Sequence, residues 1–593
     1  MSTQQDKIRN FSIIAHIDHG KTTLTDRLLE LSQTAQGKSM DRVMDSNPIE
    51  RERGITIKLA PVSLSYQGYT LNLIDTPGHV DFGYEVSRSL AACEGAILVI
   101  DSTQGVQAQT LSNYYKAKEL GLKIIPVINK IDLPSADVEG TTLEIMDAFG
   151  FEPEEVIAVS AKSGINVEAI LQAVIERIPA PSGEIDSPAR ALIITATFDR
   201  HKGAIAYIRM IDGQIKEREN LTFMSSQKAV VPIEIGSFNP QMTKKSSLST
   251  GEVGYVATGL KDIRHLAIGD TIIKSIDKGN VQALPGYEPA QPVVFMEIYP
   301  VDADDFPDLA DAAIKLSYHD AALSFSNTYS NALGSGLKAG FLGILHAEIV
   351  LQRFSNEFEI EIIATAPTVD YLVETKSGEK THIHAPQELP DYAQIKEVRE
   401  PMANLRIFTP EKFSSDIIQF CRNRRGELVS SEFTAGNIKL LINMPLAELI
   451  TDFHDQLKSI SSGFASLEYS LGDYQPADVV RVDILLNGEI VEALSFIAIE
   501  NDAESRGREL TKKLKEVIPR QMFEIPIQAA IGGKVIARET VKAFRKDVTA
   551  KLYGGDVTRR QKLLKKQAAG KKKMKQFGKV SLDQEVFLTL LKR

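Results

Sequence analysis

The chain has 593 residues, of which 43% are hydrophobic and 25% charged, and its formal net charge is −10. The length predicts about four domains with ordinary buried cores. Apolar runs stay below the roughly 18 residues of a membrane helix, and residues 1–9 lack the apolar core of a signal peptide, so we expect a cytoplasmic protein. Cys93 and Cys421 stand far apart and away from histidine pairs, so we expect buried thiols and neither a disulfide nor a zinc site.

The first motif lies near the amino terminus, where an apolar run at residues 11–15 leads into Ala15-His-Ile-Asp-His-Gly-Lys-Thr-Thr23. The leucines that follow have helical spacing, which predicts a strand, a tight loop and a helix. Such a loop binds phosphates through backbone N–H groups and the helix N-terminus, with a lysine charge and a hydroxyl that reaches magnesium. We therefore predict nucleotide contacts by Asp18, His19, Gly20, Lys21, Thr22 and Thr23. A plain polar loop is the alternative.

A second motif follows another predicted strand. A strand over residues 70–74 leads into Asp75-Thr-Pro-Gly-His79. Asp75 can hold magnesium through water, together with Thr22. Gly78 can offer its N–H to a terminal phosphate, because no side chain blocks the approach.

The base of the nucleotide is indicated by the later strand ends. The predicted strands over residues 123–128 and 156–159 end in Asn129-Lys-Ile-Asp132 and Ser160-Ala-Lys162. The Asp132 carboxylate can accept the two hydrogens of the guanine N1–H and 2-amino group, a donor pair that adenine lacks. Asn129 and Lys130 would brace the base, while Ser160, Ala161 and Lys162 would close over it. The set predicts a guanine-nucleotide domain with a doubly wound sheet.

These motifs resemble the translational GTPases. Residues 51–57, Arg-Glu-Arg-Gly-Ile-Thr-Ile, are similar to the first switch of that family, and residues 75–79 to its second. The resemblance implies that Thr56 binds magnesium and the γ-phosphate, and that His79 positions the attacking water between the apolar gates Ile17 and Ile55. A solvated loop histidine is the alternative for His79.

After a linker at residues 178–188, the hydrophobic pattern of the sequence changes. Short alternating apolar runs over residues 190–276 predict a small β-barrel. Two successive βαββαβ orders then predict two ferredoxin-like modules, separated only by a polar connection at residues 376–401. We predict a GTP-binding domain at 1–184, a barrel at 189–283, modules at 291–370 and 400–478, and a basic α+β domain at 479–593. The fold class is therefore a multidomain combination of α/β and β units.

The charge of the chain is strongly segregated. Residues 506–579 hold 22 Lys and Arg against 6 Asp and Glu, a local charge of +16 that leaves the rest of the chain at −26. An acidic body with a basic end favours docking onto polyanions, with phosphate recognition and little base readout. The predicted nucleic-acid contacts are Arg559, Arg560, Lys562, Lys571, Lys572 and Lys573. A solvated basic face and a weak peripheral association with anionic membranes are the alternatives.

The carboxyl-terminal residues 518–521, 531–542 and 553–556 resemble the unique last domain of one member of the family, proposed to move tRNAs back by one codon. The resemblance implies a ribosome-dependent GTPase that uses GTP and magnesium and contacts ribosomal RNA, ribosomal proteins and tRNA, with no stable homo-oligomer. A role in initiation or assembly without tRNA movement stays open. So do a tRNA-binding module whose GTPase only times release, and a membrane-surface signalling GTPase.

Overall fold

A computed structural model of the chain describes residues 5–16, 18–32, 60–75, 83–239, 241–285, 292–317, 320, 322–330, 333–434, 437–450, 452–521, 523–544 and 561. Its amino-terminal elements are strands β1 (Ile8–Ala15), β2 (Ala60–Tyr66), β3 (Tyr69–Asp75), β4 (Gly95–Asp101), β5 (Lys123–Asn129) and β6 (Ile157–Ala158), and helices α1 (Lys21–Leu31), α2 (Gly83–Ala91), α3 (Ala108–Glu119), α4 (Val138–Phe149) and α5 (Glu168–Arg177).

The amino-terminal sheet has the order β2-β3-β1-β4-β5-β6 and is parallel except for the pair β2 and β3. Every residue of β1 is buried, as expected for a strand covered by helices on both faces. Phe11 and Ile13 pack with α1 and α5 on one face, whereas Ile14 packs with α2, α3 and α4 on the other. This is the predicted doubly wound sheet, and all its parallel strands end on one edge.

An antiparallel sheet follows, in the segment where a barrel was predicted. Its order is β11-β10-β16-β7-β8-β15-β12-β13, with a separate pair β14-β9. Small and branched side chains alternate into one apolar core, including Ala191, Ile193 and Ile208. The strands are β7 (Arg190–Asp199), β8 (Gly203–Asp212), β9 (Gln214–Lys216), β10 (Leu221–Phe223), β11 (Ala229–Val230), β12 (Glu234–Asn239), β13 (Gln241–Lys244), β14 (Ser247–Ser249), β15 (Val253–Ala257) and β16 (Thr271–Lys274).

The first βαββαβ unit forms an antiparallel sheet of order β18-β19-β17-β20, the arrangement of a ferredoxin-like module. One face carries both helices, which bury Leu309 and Phe354 against the sheet. The elements are β17 (Val294–Pro300), α6 (Phe306–Ser317), β18 (Ser324–Ser330), β19 (Gly334–Phe341), α7 (Ile344–Phe358) and β20 (Ile362–Ala364).

The second unit repeats this order around one long strand. The strand β23 pairs with β26 along one edge and with β21 and then β25 along the other. The elements are β21 (Tyr371–Thr375), β22 (Lys380–Ile383), β23 (Ile395–Pro410), α8 (Glu411–Asn423), β24 (Glu427–Thr434), β25 (Asn437–Pro445), α9 (Leu446–Leu449), α10 (Phe453–Ile460) and β26 (Ser466–Pro476).

Two sequence predictions for this unit are wrong. Residues 376–401, predicted as a polar connection, contain β22 and the beginning of β23, because a β-hairpin can be polar where one face meets water. Where a single helix was predicted over residues 446–459, α9 ends at Leu449 and α10 begins at Phe453.

The carboxyl-terminal region is an α+β unit in which one helix packs on a small sheet. The basic amphipathic helix predicted over residues 506–515 is longer and begins with acidic residues. Across the described residues, no helix combines the length and apolarity needed to cross a bilayer. The elements are β27 (Val479–Leu486), β28 (Glu489–Ile490), β29 (Phe496–Ile499), α11 (Glu500–Val517), β30 (Ile525–Ile531) and β31 (Lys534–Val541).

Candidate guanine-nucleotide site

The phosphate-binding loop connects the end of β1 to the first turn of α1. Ala15 is the last residue of β1, in extended conformation, so the position where other loops of this type carry glycine requires none here. The reversal is made by Asp18 and Gly20, with φ values of 64° and 91°. Gly20 is the N-cap of α1, so the unpaired N–H groups of the first helical turn open toward the loop. This is an anion-binding geometry.

The charged groups predicted for the phosphates and magnesium lie together. The ammonium of Lys21 is 3.0 Å from Oδ1 of Asp75, and the two side chains are only 13% and 5% exposed. Asp75 ends β3 next to β1, and Thr22 is the second residue of α1. A buried carboxylate and a hydroxyl from adjacent elements are hard oxygen donors, which fits magnesium.

Asn129 joins the phosphate loop to the loop after β6. Its Nδ2 donates to the carbonyl of His19 at 3.0 Å, and its Oδ1 accepts from the N–H of Ala161 at 3.0 Å. The side chain is buried, so both bonds are shielded from water. Asn129 therefore holds the predicted phosphate and base regions at a fixed separation.

Lys130 spans from β5 to the phosphate loop. Its backbone is left-handed, with φ of 66°. Its Nζ donates to the carbonyl of Asp18 at 2.6 Å and lies 2.6 Å from Oδ2 of Asp101. The aliphatic stem therefore lies across the space between the ends of β4, β5 and β1.

The predicted base-reading residue Asp132 is exposed beside the loop after β6. Ser160 donates its hydroxyl to Oδ1 of Asp132 at 2.6 Å, and the N–H of Ser163 donates to the same hydroxyl at 3.1 Å. One carboxylate oxygen is thus held by Ser160. The loop itself is anchored by Arg27 of α1, which donates to the carbonyls of Ala161 and Lys162 at 3.1 and 2.9 Å.

His19 lies beneath the loop. Its imidazole is fully buried, with Nδ1 3.3 Å from both the carbonyl of Val99 and the N–H of Asp101. Burial lowers the pKa of His19 to about 3, so the ring is neutral at physiological pH. The side chain supports the loop, and any phosphate contact of His19 would come from its main chain.

Sequence reasoning missed Arg27 and Asp101. Asp101 follows a predicted strand, as Asp75 and Asn129 do, so the same strand-end pattern could have identified it. Arg27 gave no such signal, because it acts through backbone carbonyls. Other predicted site residues lie outside the described part of the chain: Ile17, Ile55, Thr56, Gly78, His79, Arg559, Arg560, Lys562, Lys571, Lys572 and Lys573.

The loop, the Lys21–Asp75 pair and the Asn129-to-Asp132 cluster define a GTPase of the elongation-factor class. The family described as Elongation factor Tu GTP binding domain matches residues 6–180. The family Elongation factor G C-terminus matches residues 397–485, and GTP-binding protein LepA C-terminus matches residues 486–592.

Relatives that are similar over nearly the whole chain identify the family within this class. The chain is 50% identical over 590 residues to Elongation factor 4 of Mycoplasma mobile, covering 99% of this chain and 98% of that protein. It is 48% identical over 595 residues to Elongation factor 4 of Thermus thermophilus, with coverage of 99% and 97%. The chain therefore belongs to the elongation factor 4, or LepA, family.

A solved structure supports the fold alone. A crystal structure of a protein from Thermus thermophilus covers 80% of this chain and 97% of its own, with a TM-score of 0.58 and 16% identity. The predicted fold class of a GTPase domain followed by β and α+β units is confirmed.

Proposed function

We propose that this GTPase works on the ribosome as a fidelity factor, moving tRNAs back by one codon on improperly translocated ribosomes. The observation that carries the proposal is similarity to proteins named Elongation factor 4 over 99% of the chain, including the basic carboxyl-terminal region. The partners are ribosomal RNA, ribosomal proteins and tRNA. The location is the cytoplasm, with at most a weak peripheral contact to the membrane.

The proposed chemistry is phosphoryl transfer to water, which depends on placement and charge neutralisation. Amides of the phosphate loop and the Lys21 charge hold the phosphates, and Asp132 reads the guanine edge. Magnesium, held by Thr22, Thr56 and Asp75, would neutralise charge between the phosphates.

Hydrolysis would be gated by docking. The His79 side chain reaches the attacking water only after it moves past the apolar residues Ile17 and Ile55. Binding to the ribosome causes that movement. Hydrolysis then releases the factor. The predicted contacts with the phosphates of RNA are Arg559, Arg560, Lys562, Lys571, Lys572 and Lys573.

A His79→Ala variant is expected to bind GTP normally and to lose ribosome-stimulated hydrolysis by about 100-fold or more, the range of a positioned general base. Single-turnover hydrolysis is measured with and without ribosomes, alongside GTP binding by calorimetry. The matched control is His201→Ala in the exposed turn between β7 and β8, which should hydrolyse at the parent rate. Full ribosome-stimulated turnover in His79→Ala would contradict the catalytic assignment.

Movement of tRNA is tested by the position of the ribosome on a messenger RNA. Added to post-translocation complexes with GTP, the protein should shift the primer-extension stop back by one codon. Replacing Lys571, Lys572 and Lys573 together with Gln should reduce that shift while leaving GTP binding intact, because the charges contact RNA phosphates.

The outcome separates the candidate functions. Ribosome-stimulated hydrolysis without any shift would refute tRNA movement and favour a role in initiation or assembly. Co-sedimentation with anionic vesicles in place of ribosomes would favour a membrane-surface GTPase.

A further inference from the structure

Asp101 ends β4 at the edge of the sheet where the nucleotide site lies, in register with Asn129 of β5. Its side chain is 0% exposed. Oδ1 accepts from the N–H and the hydroxyl of Thr103, both at 2.8 Å, and Oδ2 accepts from Nε2 of Gln104 at 3.2 Å. Oδ2 also pairs with Lys130 at 2.6 Å. Oδ1 thus holds the Thr103 turn, whereas Oδ2 binds Gln104 and Lys130.

A buried carboxylate needs compensation for the loss of water. Burial by itself would raise the pKa of Asp101, but hydrogen bonds from Lys130 and Thr103 outweigh it and hold the pKa below its ordinary value. Asp101 is therefore charged at neutral pH, and Lys130 is the cation that balances it.

The partner, Lys130, has a left-handed backbone conformation, which residues other than glycine rarely adopt. A lysine in the left-handed region is strained by its Cβ, so the surrounding contacts must hold it there. The ammonium of Lys130 makes two polar contacts, one to Asp101 and one to the carbonyl of Asp18. A flexible four-carbon stem is thereby fixed at both ends.

We propose that Asp101 is a positioning residue for the guanine nucleotide: it holds Lys130 stretched over the phosphate loop so that the lysine stem forms a fixed wall for the base. This inference rests on the assignment of Lys130 to the nucleotide site. Without the carboxylate, the ammonium would keep only the Asp18 carbonyl, and the stem would sample other rotamers. Nucleotide binding would then have to immobilise the Lys130 side chain, and the entropy lost would lower the affinity for the nucleotide.

The test measures release of fluorescent GDP from the full-length protein by stopped flow. Asp101→Asn removes the negative charge, keeps an oxygen for the two Thr103 donors, and places an NH2 group, which donates and cannot accept, beside Lys130. It should speed GDP release about tenfold, as expected for a lost charged hydrogen bond. Lys130→Met should do the same, and the double variant should release GDP no faster than either single one.

The matched control is Thr103→Ala, which removes a hydrogen bond of the same carboxylate without touching Lys130, and it should release GDP at the parent rate. When GTP is titrated in the presence of ribosomes, Asp101→Asn should raise KM and leave kcat unchanged, because Asp101 contacts no reacting atom. Equal effects of Asp101→Asn and Thr103→Ala would overturn the proposal, because Asp101 would then act through the turn.

Further outcomes distinguish the two assignments. A fast Lys130→Met variant beside an unaffected Asp101→Asn variant overturns the positioning role alone, while two unaffected variants also remove Lys130 from the nucleotide site. If Asp101→Asn does not fold, Lys130→Arg replaces it. Arginine keeps the pair with Asp101, so it should restore most of the slow release that Lys130→Met loses. Equal release from both Lys130 variants would refute the proposal.

Discussion

A Gly20→Ala substitution is expected to lower the affinity for GDP and GTP by at least about 100-fold, a change of roughly 3 kcal/mol. Gly20 has φ of 91°, where an alanine costs roughly 1–2 kcal/mol. Its new Cβ would lie 2.5 Å from Nδ2 of Asn129. Relieving that overlap displaces the amide that bonds His19 and Ala161, and each lost buried bond costs about 1–3 kcal/mol. Calorimetric titration with each nucleotide measures the loss.

The control for backbone strain is Gly68→Ala in the turn between β2 and β3. Gly68 has a similar φ of 77°, but no atom of the described residues lies within 4 Å of an added Cβ. This variant should lose a little thermal stability and bind nucleotide as the parent does. If Gly20→Ala and Gly68→Ala bind GTP equally well, the proposed role of Asn129 as a spacer between the two loops is wrong.

The location of Asp75, Asn129 and Ser160 at one edge of the sheet could be predicted because it needs only local patterns. Each residue follows an apolar run, and apolar runs of that length in a chain with intervening helical patterns form parallel strands. Parallel strands end on one edge, so residues far apart in sequence meet there. The sheet topology therefore places these residues on one edge, and no long-range contact has to be predicted from the sequence.

Contacts that leave neither a periodic pattern nor a motif in the sequence could not be predicted. Arg27 acts on the backbone of a distant loop, and any exposed helix can carry an arginine. The strand β22 has only four residues, three of them exposed, so its pattern could not be distinguished from that of a linker. His19 has the sequence position of a ligand, yet packing against β4 turns its ring away from the loop surface.

Phe408 makes another contact that leaves no pattern in the sequence. It belongs to β23 of the second ferredoxin-like module, yet its side chain, 4% exposed, packs in the apolar cluster of the GTPase domain with Ile14 and Leu111. Its ring stacks on Tyr115 of α3 at 6.0 Å between centroids and 11° between planes. The module is thus docked on α3 by an aromatic side chain inserted into another unit's core.

Polar contacts surround this aromatic contact. Glu468 of β26 accepts from the hydroxyl of Ser112 and pairs with Lys116 at 2.9 Å, both on α3. Arg406 of β23 lies 3.6 Å from the same carboxylate. Such pairs orient the contact more than they stabilise it, because they are partly exposed and each costs side-chain entropy. The stability of the docking therefore depends mainly on Phe408.

A Phe408→Ala substitution is expected to weaken the docked state by about 3–5 kcal/mol, the usual cost of truncating a buried phenylalanine. For a unit of this size, that lowers the melting temperature of the GTPase-domain transition by roughly 6 °C or more in scanning calorimetry. Hydrogen exchange should accelerate in α3, since its covering sheet is lost.

The matched control is Phe433→Ala on β24 of the same module, where the side chain is 70% exposed and its removal should leave both readouts within error. If Phe408→Ala behaves like Phe433→Ala, the module is not held by its aromatic insertion, and the polar pairs at Glu468 must carry the contact. A selective loss in Phe408→Ala would instead show that this one side chain docks β23 on α3. Because β23 pairs with β26, and β26 runs within three residues into β27, the docked module also links the GTPase domain to the last unit.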